Sequence, residues 1–414
     1  MYEPTRTASR RSFLAATGGT ATVGLAGCLG GSGGGLDELT VAHMPIYPDL
    51  QWYVMEGEGY FSEIDAEITG QEFGNGPDIV QALGGSDIDV AMFGIVPAMI
   101  AIDRGIAARV TAANIREPMG IMAESSFHET FEQEGADAFA AWEEEQGEPF
   151  TFGTFPQGSV PDVLLRYWLR DVGVDPDEND SVEIIEINGA SSVWQAIANG
   201  EIDGTSIMEP VPTIAQAEGS SVTMLRTAAD VLPGQPAAVT LMSDAVRDSP
   251  LAAQFLEGHV RATEFIEERP DATAAHVEEG IGMPADRARR ALDSPLSNFI
   301  TDPTEITDAT QVFSEFAAGN DQIGEQLSTD EIFDLAVYDS LGWRPKSAPN
   351  STRSRRGSGS GSGSATPVAC AGVRSARPRS SSSGTSSRSG RPRTSSRRRS
   401  RWPERSRTSS PPAT

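Results

Sequence analysis

Short apolar segments alternate with amphipathic helical segments along most of the chain, beginning at residue 39. This alternation predicts an α/β fold in which helices pack against sheets. The predicted strands are residues 39–44, 64–72, 109–114, 120–123, 150–155, 182–187, 221–225 and 237–243. From residue 250 the pattern is helical throughout, and it predicts helices at 250–268, 272–279, 284–292, 304–318 and 329–341.

One stretch of this pattern occurs twice, 114 residues apart. Residues 81–89 read QALGGSDID, and residues 195–203 read QAIANGEID. Each copy predicts the end of an amphipathic helix, a turn containing glycine and then a short buried strand. Two related units in one chain predict two lobes with a cleft between them.

Charge is distributed unevenly along the chain. Residues 28–344 contain 57 acidic residues and 13 arginines, a net charge of −44, and the only lysine of the whole chain is Lys346. Repulsion within such a body weakens a compact state in dilute salt, whereas molar salt screens charges beyond about 3 Å. The composition therefore predicts a protein from an extreme halophile and argues against nucleic-acid binding through the body.

Residues 1–28 have the pattern of an export signal. A twin-arginine motif at Arg10 and Arg11 precedes an apolar run that ends in LAGC, with Cys28 as its last residue. The combination predicts a twin-arginine lipoprotein signal with Cys28 as the lipid acceptor, because an apolar run of about 15 residues is too short to span a membrane. The glycine-rich residues 29–38 are predicted to form a flexible tether.

The composition changes abruptly at residue 345. Residues 345–414 contain 16 basic residues and one acidic residue, and residues 357–364 are a pure Gly-Ser repeat. Such a sequence has too few apolar residues for a core and is predicted to be disordered. It is either a basic arm for anionic surfaces or, in the interpretation that we favour, the product of a shifted reading frame in a GC-rich gene.

Several short motifs resemble those of one family of transport proteins. They are EGYF at 58–61, FGNG at 73–76, the repeat at 81–89, the segment 94–97, GEID at 200–203 and the pair at 209–210. Together with the lipoprotein signal, they make the chain similar to the solute-binding proteins of ABC importers for nitrate, sulfonate, taurine and thiamine-precursor pyrimidines. The resemblance covers residues 39–292.

This resemblance implies a type II periplasmic-binding-protein fold, α/β in class, with two lobes that each contain a mixed sheet flanked by helices and are joined by hinge strands. Residues 39–120 and 236–344 would form lobe 1, and residues 121–235 would form lobe 2. The strongly acidic residues 125–149, which depart from the family pattern, are predicted from their composition to be a solvent-facing helical excursion of lobe 2. The resemblance also implies a monomer, lipid-anchored at the outer face of the cytoplasmic membrane, that delivers a small solute to an ABC permease driven by a separate ATPase.

Candidate ligand-binding residues follow from the rule that ligands of open α/β sheets lie beyond the carboxyl ends of the strands. Two predicted helix starts, near Asn75 and near Ser159, would direct backbone N–H groups at an anionic head group. Arg116 is the only basic residue close to these loops in the sequence. The predicted ligand-binding residues are Tyr47, Trp52, Phe73, Asn75, Gly76, Phe93, Gly94, Phe155, Gln157, Gly158, Ser159, Met208 and Glu209.

Two ligand classes fit these candidates. A site for nitrate, sulfonate or taurine would depend on the helix starts at Gly76, Gly158 and Ser159 and on Arg116. A site for a thiamine-precursor pyrimidine, or another planar amine, would depend on stacking against Trp52 and Tyr47 and on the Glu209 carboxylate as a hydrogen-bond acceptor. We favour the first class and keep the second as the alternative.

The sequence offers little for catalysis, a cofactor or a metal. It has no H-E-x-x-H motif, a P-loop would need a lysine that the body lacks, and Cys28 and Cys370 form no metal-binding pattern. An enzyme of the pyrimidine-synthase type would need a histidine at the cleft, for which His43 is the candidate. A structural surface lipoprotein is the third possibility. We predict a binding protein that is not an enzyme, with no cofactor and no metal.

Overall fold

In the part of the chain that the structure describes, twelve strands form where short apolar segments are bounded by turns. A computed structural model describes residues 36–85 and 88–342. The export signal, Cys28, most of the predicted tether and the basic tail lie outside the described residues. The strands are β1 (Glu38–His43), β2 (Glu67–Glu72), β3 (Val90–Gly94), β4 (Ala108–Ala113), β5 (Ile115–Arg116), β6 (Met119–Glu124), β7 (Phe150–Thr154), β8 (Val182–Glu186), β9 (Gly204–Met208), β10 (Val222–Thr227), β11 (Ala238–Ser243) and β12 (Asn298–Phe299).

Sixteen α-helices and three short 3₁₀ helices connect these strands in the described part of the chain. The first eight α-helices are α1 (Leu50–Gly57), α2 (Gly76–Leu83), α3 (Ile95–Asp103), α4 (Ser125–Glu134), α5 (Asp137–Gln146), α6 (Val160–Asp171), α7 (Ala190–Asn199) and α8 (Val211–Glu218). The other eight are α9 (Ala228–Val231), α10 (Asp244–Arg247), α11 (Pro250–Glu268), α12 (Pro270–Ile281), α13 (Ala285–Leu292), α14 (Thr307–Gly319), α15 (Thr329–Ile332) and α16 (Leu335–Asp339). The 3₁₀ helices are Tyr47–Asp49, Tyr60–Glu63 and Pro303–Ile306. No helix within residues 36–85 and 88–342 is both long and apolar enough to cross a membrane.

The large strands form two five-stranded sheets with the same plan. The first has the order β2-β1-β3-β11-β4 and the second, read from its opposite edge, the order β8-β7-β9-β6-β10. In each sheet the first three strands are parallel, and the fourth runs antiparallel to both its neighbours. The predicted α/β class with two mixed sheets is therefore correct.

The chain passes between the two sheets twice. It leaves the first sheet after β4, and β5 pairs with β12 before the second sheet begins at β6. It returns between β10 and β11. These two crossings correspond to the predicted hinge between the lobes. The residue limits of the two lobes stay a prediction.

The aspartate that ends each copy of the repeat makes the same contacts in both sheets. Asp89 Oδ2 accepts a hydrogen bond from the Thr40 backbone N–H at 2.9 Å, and the Asp89 N–H donates to the Thr40 carbonyl at 2.9 Å. Asp203 repeats both bonds with Thr151, at 2.8 and 2.9 Å. The repeated motif therefore holds the third strand of each sheet against the second, β3 against β1 and β9 against β7.

The acidic excursion is helical, as predicted, but it is not simply a solvent-facing segment. Phe127 and Phe139, on α4 and α5, are buried and pack against Phe150 of β7 with ring centroids 4.4 and 5.5 Å apart. The acidic residues occupy the outer faces of the two helices, so the excursion completes the core of the second sheet.

The predicted helix at 329–341 is interrupted. Phe333 adopts an extended conformation (φ −110°, ψ 145°) and forms a β-bridge to Val110 on β4, and the Asp334 N–H donates to the Val110 carbonyl at 2.9 Å. The free edge of β4 therefore captures two residues that the helical pattern assigned to a single helix, and two short helices result.

Candidate functional site

The ends of the central strands of both sheets face one narrow cavity, which we call the apolar chamber. The space between its walls is about 390 Å³, including the part open to solvent. It is lined by Met44, Ile46, Pro48, Gly76, Gly94, Pro97, Met119, Phe155, Ser159, Val160, Pro161, Met208, Ala237 and Ala238. These residues follow or belong to strands of both sheets, so the chamber is the cleft between the lobes.

The lobes approach each other most closely at Gly94, at the end of β3. A Cβ atom on Gly94 would lie 2.8 Å from Val160 Cγ2 of α6, well inside van der Waals contact. Gly158 makes a similar approach, since its Cβ would lie 3.3 Å from Ile100 Cδ1. The absence of side chains at these two positions lets the lobes close on each other.

Helix starts provide the polar character of the chamber. Helix α2 begins at Gly76 and α6 begins at Val160, and the Asn75 and Ser159 side chains cap them by accepting from backbone N–H groups two positions into each helix. Helix α3 begins at Ile95, next to Gly94. The partial positive charge of a helix start favours anions, and no charged side chain lines this chamber in the described part of the chain.

Five of the predicted ligand residues line the apolar chamber: Gly76, Gly94, Phe155, Ser159 and Met208. Three more lie beside it. Asn75 contacts Asn188 of the other lobe at 3.4 Å, the Gly158 N–H donates to the Asp162 carboxylate at 3.2 Å, and the Gln157 N–H donates to the Glu186 carboxylate at 2.9 Å. A ligand role for these residues stays a prediction.

The remaining five lie elsewhere, among them most of the predicted aromatic surface. Phe93 is fully buried in the core, and Phe73 packs against the core from a half-buried position. Tyr47 is also buried, its hydroxyl lies 2.8 Å from Ser297 Oγ, and it lines a cavity that adjoins the apolar chamber. Of the aromatic residues expected at the cleft, Phe93 and Phe73 therefore belong to or pack against the core.

Trp52 and His43 form a stacked pair in a separate cavity of the first lobe. Their ring centroids are 4.3 Å apart and the planes are inclined by 15°. Their cavity is lined by Glu56, Glu72 and Glu279 and shares no residue with the apolar chamber. Burial lowers the pKa of His43 to about 4, so the imidazole is neutral at pH 7. The pyrimidine-synthase hypothesis thus loses its candidate histidine.

Glu209 and Arg116 also lie outside the apolar chamber. The Glu209 carboxylate is 1% exposed and accepts from the Thr213 N–H at 3.2 Å and from its hydroxyl at 2.9 Å. Burial raises the pKa of Glu209, and hydrogen bonds from Ser294 and Thr213 oppose that rise. Arg116 pairs with Glu305 at 2.8 Å. Neither charge is available to a ligand in the chamber.

Comparison with protein families identifies the chain. Residues 33–281 match the profile of the NMT1-like family. The chain belongs to the NMT1-like family. No curated protein matches it in sequence.

Solved structures share the fold of this NMT1-like protein at low sequence identity. The alkanesulfonate-binding protein SsuA from Xanthomonas axonopodis pv. citri, bound to MOPS, is 15% identical, with a TM-score of 0.57 over 72% of this chain and 99% of that chain. The aliphatic sulphonate binding protein SsuA from Escherichia coli is 17% identical, with a TM-score of 0.57 over 72% and 97%. The nitrate-binding protein NrtA from Synechocystis PCC 6803 is 13% identical, with a TM-score of 0.62 over 74% and 88%.

These likenesses confirm the predicted periplasmic-binding-protein fold with two lobes. All three structures are described as binding proteins and none as an enzyme.

A second cavity of the NMT1-like protein adjoins the first, and we call it the arginine chamber. Its space is about 770 Å³, including the part open to solvent. Ile46 lines both chambers. The lining residues are Pro45, Ile46, Tyr47, Ala190, Ser191, Trp194, Pro210, Val211, Ile214, Ile281, Gly282, Met283, Pro284 and Arg287.

Tyr47 is the one predicted ligand residue in this lining, and Trp194 and Arg287 are the two largest polar-tipped side chains that the sequence interpretation missed. The predicted site residues lie in loops at strand ends, whereas Trp194 lies inside α7 and Arg287 inside α13. One signal was present: three of the 13 arginines of the body fall within residues 287–290. Among the described residues, no group of three or more His, Cys, Asp or Glu side chains is arranged to hold a metal ion.

Proposed function

We propose that this NMT1-like protein is the extracytoplasmic substrate-binding component of an ABC importer, and that it captures a small solute of the nitrate, sulfonate or taurine class. The observation that carries the proposal is the apolar chamber, where helix starts from both lobes meet between two matched sheets. Backbone N–H groups at helix starts bind anions without a cationic side chain. The sulfonate- and nitrate-binding proteins that share the fold support the same solute class.

The alternative, a planar amine such as a thiamine-precursor pyrimidine, receives less support from the geometry. It depends on Tyr47, Trp52 and Glu209 acting together. Trp52 lines a cavity apart from the cleft, Tyr47 bonds to Ser297, and the Glu209 carboxylate is held by Thr213. The three side chains therefore do not form one pocket.

Closure of the lobes on the solute is the mechanism that we infer. The solute enters while the lobes are apart, and rotation about the two chain crossings brings Gly94 against Val160. The closed protein then docks on the permease, and the separate ATPase drives transport. We expect a monomer, because one chain supplies both walls of the chamber.

Binding measurements test this function directly. The protein, held in molar salt, is titrated calorimetrically with nitrate, taurine, alkanesulfonates, bicarbonate and thiamine pyrimidines. We expect binding of at least one sulfonate or nitrate, and a ligand at 100 times its Kd should add about 2.7 kcal/mol to the free energy of unfolding. Binding of only the pyrimidines would favour the alternative, and binding of none would contradict the proposal.

A matched pair of glycine variants tests the role of closure. Gly94→Ala places a methyl group against Val160, and overpacking costs about 1–3 kcal/mol. Because that cost falls on the closed form, we expect solute affinity about tenfold weaker. The control is Gly74→Ala, where an added Cβ meets nothing within 4 Å. Equal affinities of the two variants would exclude the closure mechanism at this contact.

The proposal has three further parts. The protein is exported by the twin-arginine route, Cys28 carries a lipid anchor, and the protein comes from an organism that lives in molar salt. A twin-arginine route carries folded protein, which suits a chain that has to fold in salt. Cys28→Ser should release the protein from membranes into the medium, as measured by fractionation. Retention of the variant in the membrane fraction would contradict the anchor, whereas the solute titration tests the binding function separately.

A further inference from the structure

One charged side chain lines the two adjoining chambers in the described part of the chain, and it is Arg287 of α13. The body that contains it carries 57 acidic residues, so a lone cation at the cleft runs against the overall charge. Arg287 also lies beyond residue 281, where the match to the family profile ends. The family match therefore does not account for this arginine.

The neighbouring arginines of α13 do not share this position. Arg289 pairs with Asp271 and Asp293, and Arg290 pairs with Asp286 at 3.0 Å. Neither of them lines the chamber. Arg287 alone of the three projects to the cavity, which makes Arg290 a matched control on the same helix.

Arg287 also joins the two sides of the cleft. Its Nη2 donates to Glu218 Oε1 of α8 at 2.8 Å, and the two side chains are 37% and 49% exposed. Glu218 itself does not line the chamber. A pair this exposed is weak, on the order of 0.2–1 kcal/mol, so an anion in the chamber can compete with Glu218 for the guanidinium.

The rest of the arginine chamber suits the middle of an organic chain. Trp194, Ile214 and Met283 present apolar surface, and Ile46 forms part of the wall of both chambers. A solute whose head group lies at the helix starts of the apolar chamber therefore extends past Ile46 towards Arg287. The group at its far end meets a guanidinium and no carboxylate of the chamber wall.

We propose that Arg287 is a specificity-determining residue that selects solutes with a second anionic group at the end opposite the head group. The inference rests on the proposed function and narrows it to chains that carry a sulfonate at one end and a carboxylate or similar anion at the other. Guanidinium and carboxylate form parallel hydrogen bonds, a methyl group forms none, and an ammonium group is repelled. Aminosulfonates of the taurine type are therefore disfavoured.

Three six-carbon solutes that differ only at the far end test the proposal: hexane-1-sulfonate, 6-sulfohexanoate and 6-aminohexane-1-sulfonate. Their affinities are measured by calorimetry with the full-length protein in molar salt, where direct contacts persist because screening acts beyond about 3 Å. We expect 6-sulfohexanoate to bind about fivefold more tightly than hexane-1-sulfonate. The aminosulfonate should be the weakest of the three.

The variants give changes of opposite sign. Arg287→Gln should reduce the ratio of the affinity for 6-sulfohexanoate to the affinity for hexane-1-sulfonate to about one. Glu218→Gln should increase this ratio, because the Arg287 guanidinium loses its competing partner. Arg290→Gln should leave the ratio as in the wild type. A purely structural role for Arg287 would weaken all three solutes in proportion and would leave the ratio unchanged, which overturns the proposal.

The outcomes separate this inference from the proposed function. Binding of hexane-1-sulfonate with no preference for 6-sulfohexanoate would overturn the role of Arg287 and leave sulfonate capture intact. Binding of nitrate but of none of the three six-carbon solutes would likewise overturn the role of Arg287 and leave anion capture intact. Binding of neither nitrate nor any sulfonate would overturn both.

Discussion

The two halves of the molecule share a scaffold and differ at the positions that face either the core or the ligand. Both sheets have the same strand order, and in both the aspartate of the repeat joins the third strand to the second. An offset of 114 residues places Val90 opposite Gly204 and Ile95 opposite Glu209. The shared bonds keep the strands in place, and the differing residues give each lobe its own interior and its own cleft edge.

The first difference concerns the core. Val90 begins β3 in the first sheet, where it is fully buried. Gly204 begins β9 in the second sheet, where an added Cβ would lie 2.7 Å from a Phe152 ring carbon and 2.8 Å from the Met122 carbonyl. The aromatic core of the second lobe occupies the space that a valine fills in the first.

The second difference concerns the residues that follow the repeat. Ile95 is buried, and its N–H donates to the Ala237 carbonyl at 2.8 Å at the start of α3. Glu209 is a buried carboxyl with three hydrogen-bond donors, held by Thr213 and Ser294, and it lies outside the apolar chamber. The matched positions therefore diverge into a buried apolar side chain in one lobe and a buried ionisable group in the other.

Placing a side chain at Gly204, as the first lobe has at Val90, removes the difference between the two cores and should have the greatest effect on stability. Gly204→Ala should lower the free energy of unfolding by about 3 kcal/mol, because the nearest atoms include a backbone carbonyl that cannot move away cheaply. Denaturant unfolding in molar salt measures the loss. Gly319→Ala, with nothing within 4 Å of its Cβ, is the control and should be neutral or slightly stabilising. A loss below about 0.5 kcal/mol would show that the aromatic core is loosely packed.

A smaller effect tests the feature that the halves share. Asp89→Ala and Asp203→Ala should each lower the free energy of unfolding by about 1.5 kcal/mol, since each removes a hydrogen bond to a carboxylate. The Asn variants keep an acceptor oxygen and should recover most of the loss. If one alanine variant were silent and the other costly, the two aspartates would not be equivalent.

The smallest effect concerns Glu209, whose pKa is raised by burial. The unfolded carboxyl ionises near pH 4.3, so the wild type loses stability as the pH rises from there through the higher folded pKa. Glu209→Gln removes this loss and keeps the hydrogen bond to the Thr213 hydroxyl. We expect the variant to gain stability relative to the wild type between pH 4 and pH 8. A difference that does not change with pH would mean that Glu209 remains ionised.

Much of the fold was predictable because it depends on local patterns. The alternation of short apolar segments with amphipathic helical segments predicted the strands and helices. The duplicated motif predicted two related lobes. The break at Phe333 was not predictable, since a strand edge more than 200 residues earlier in the chain captures it. Edge pairing of this kind leaves no periodic signal in the sequence.

The lining of the apolar chamber was predictable where the backbone provides it and, among the predicted side chains, at Phe155 and Met208. Gly76, Gly94 and Ser159 follow from helix starts and close approach, and they line the apolar chamber. The structure places Trp52 away from the predicted position at the cleft, because its indole packs against Gly70 of β2. A Cβ on Gly70 would lie 2.5 Å from the indole, so the ring can take this position only because residue 70 has no side chain. Arg287 was missed because the three arginines of α13 mark that helix without indicating which of them reaches the cleft.

The half-buried position of Trp194 on the wall of the arginine chamber has a practical consequence. Indole emission depends on the polarity around the ring, and a solute reaching this chamber replaces water beside Trp194. Of the other five tryptophans of the chain, Trp52 and Trp168 are buried away from it, so a Trp194→Phe variant identifies the part of the emission that comes from Trp194. The protein thus contains its own optical reporter of occupancy, so that capture of a solute becomes visible in its intrinsic fluorescence without any label.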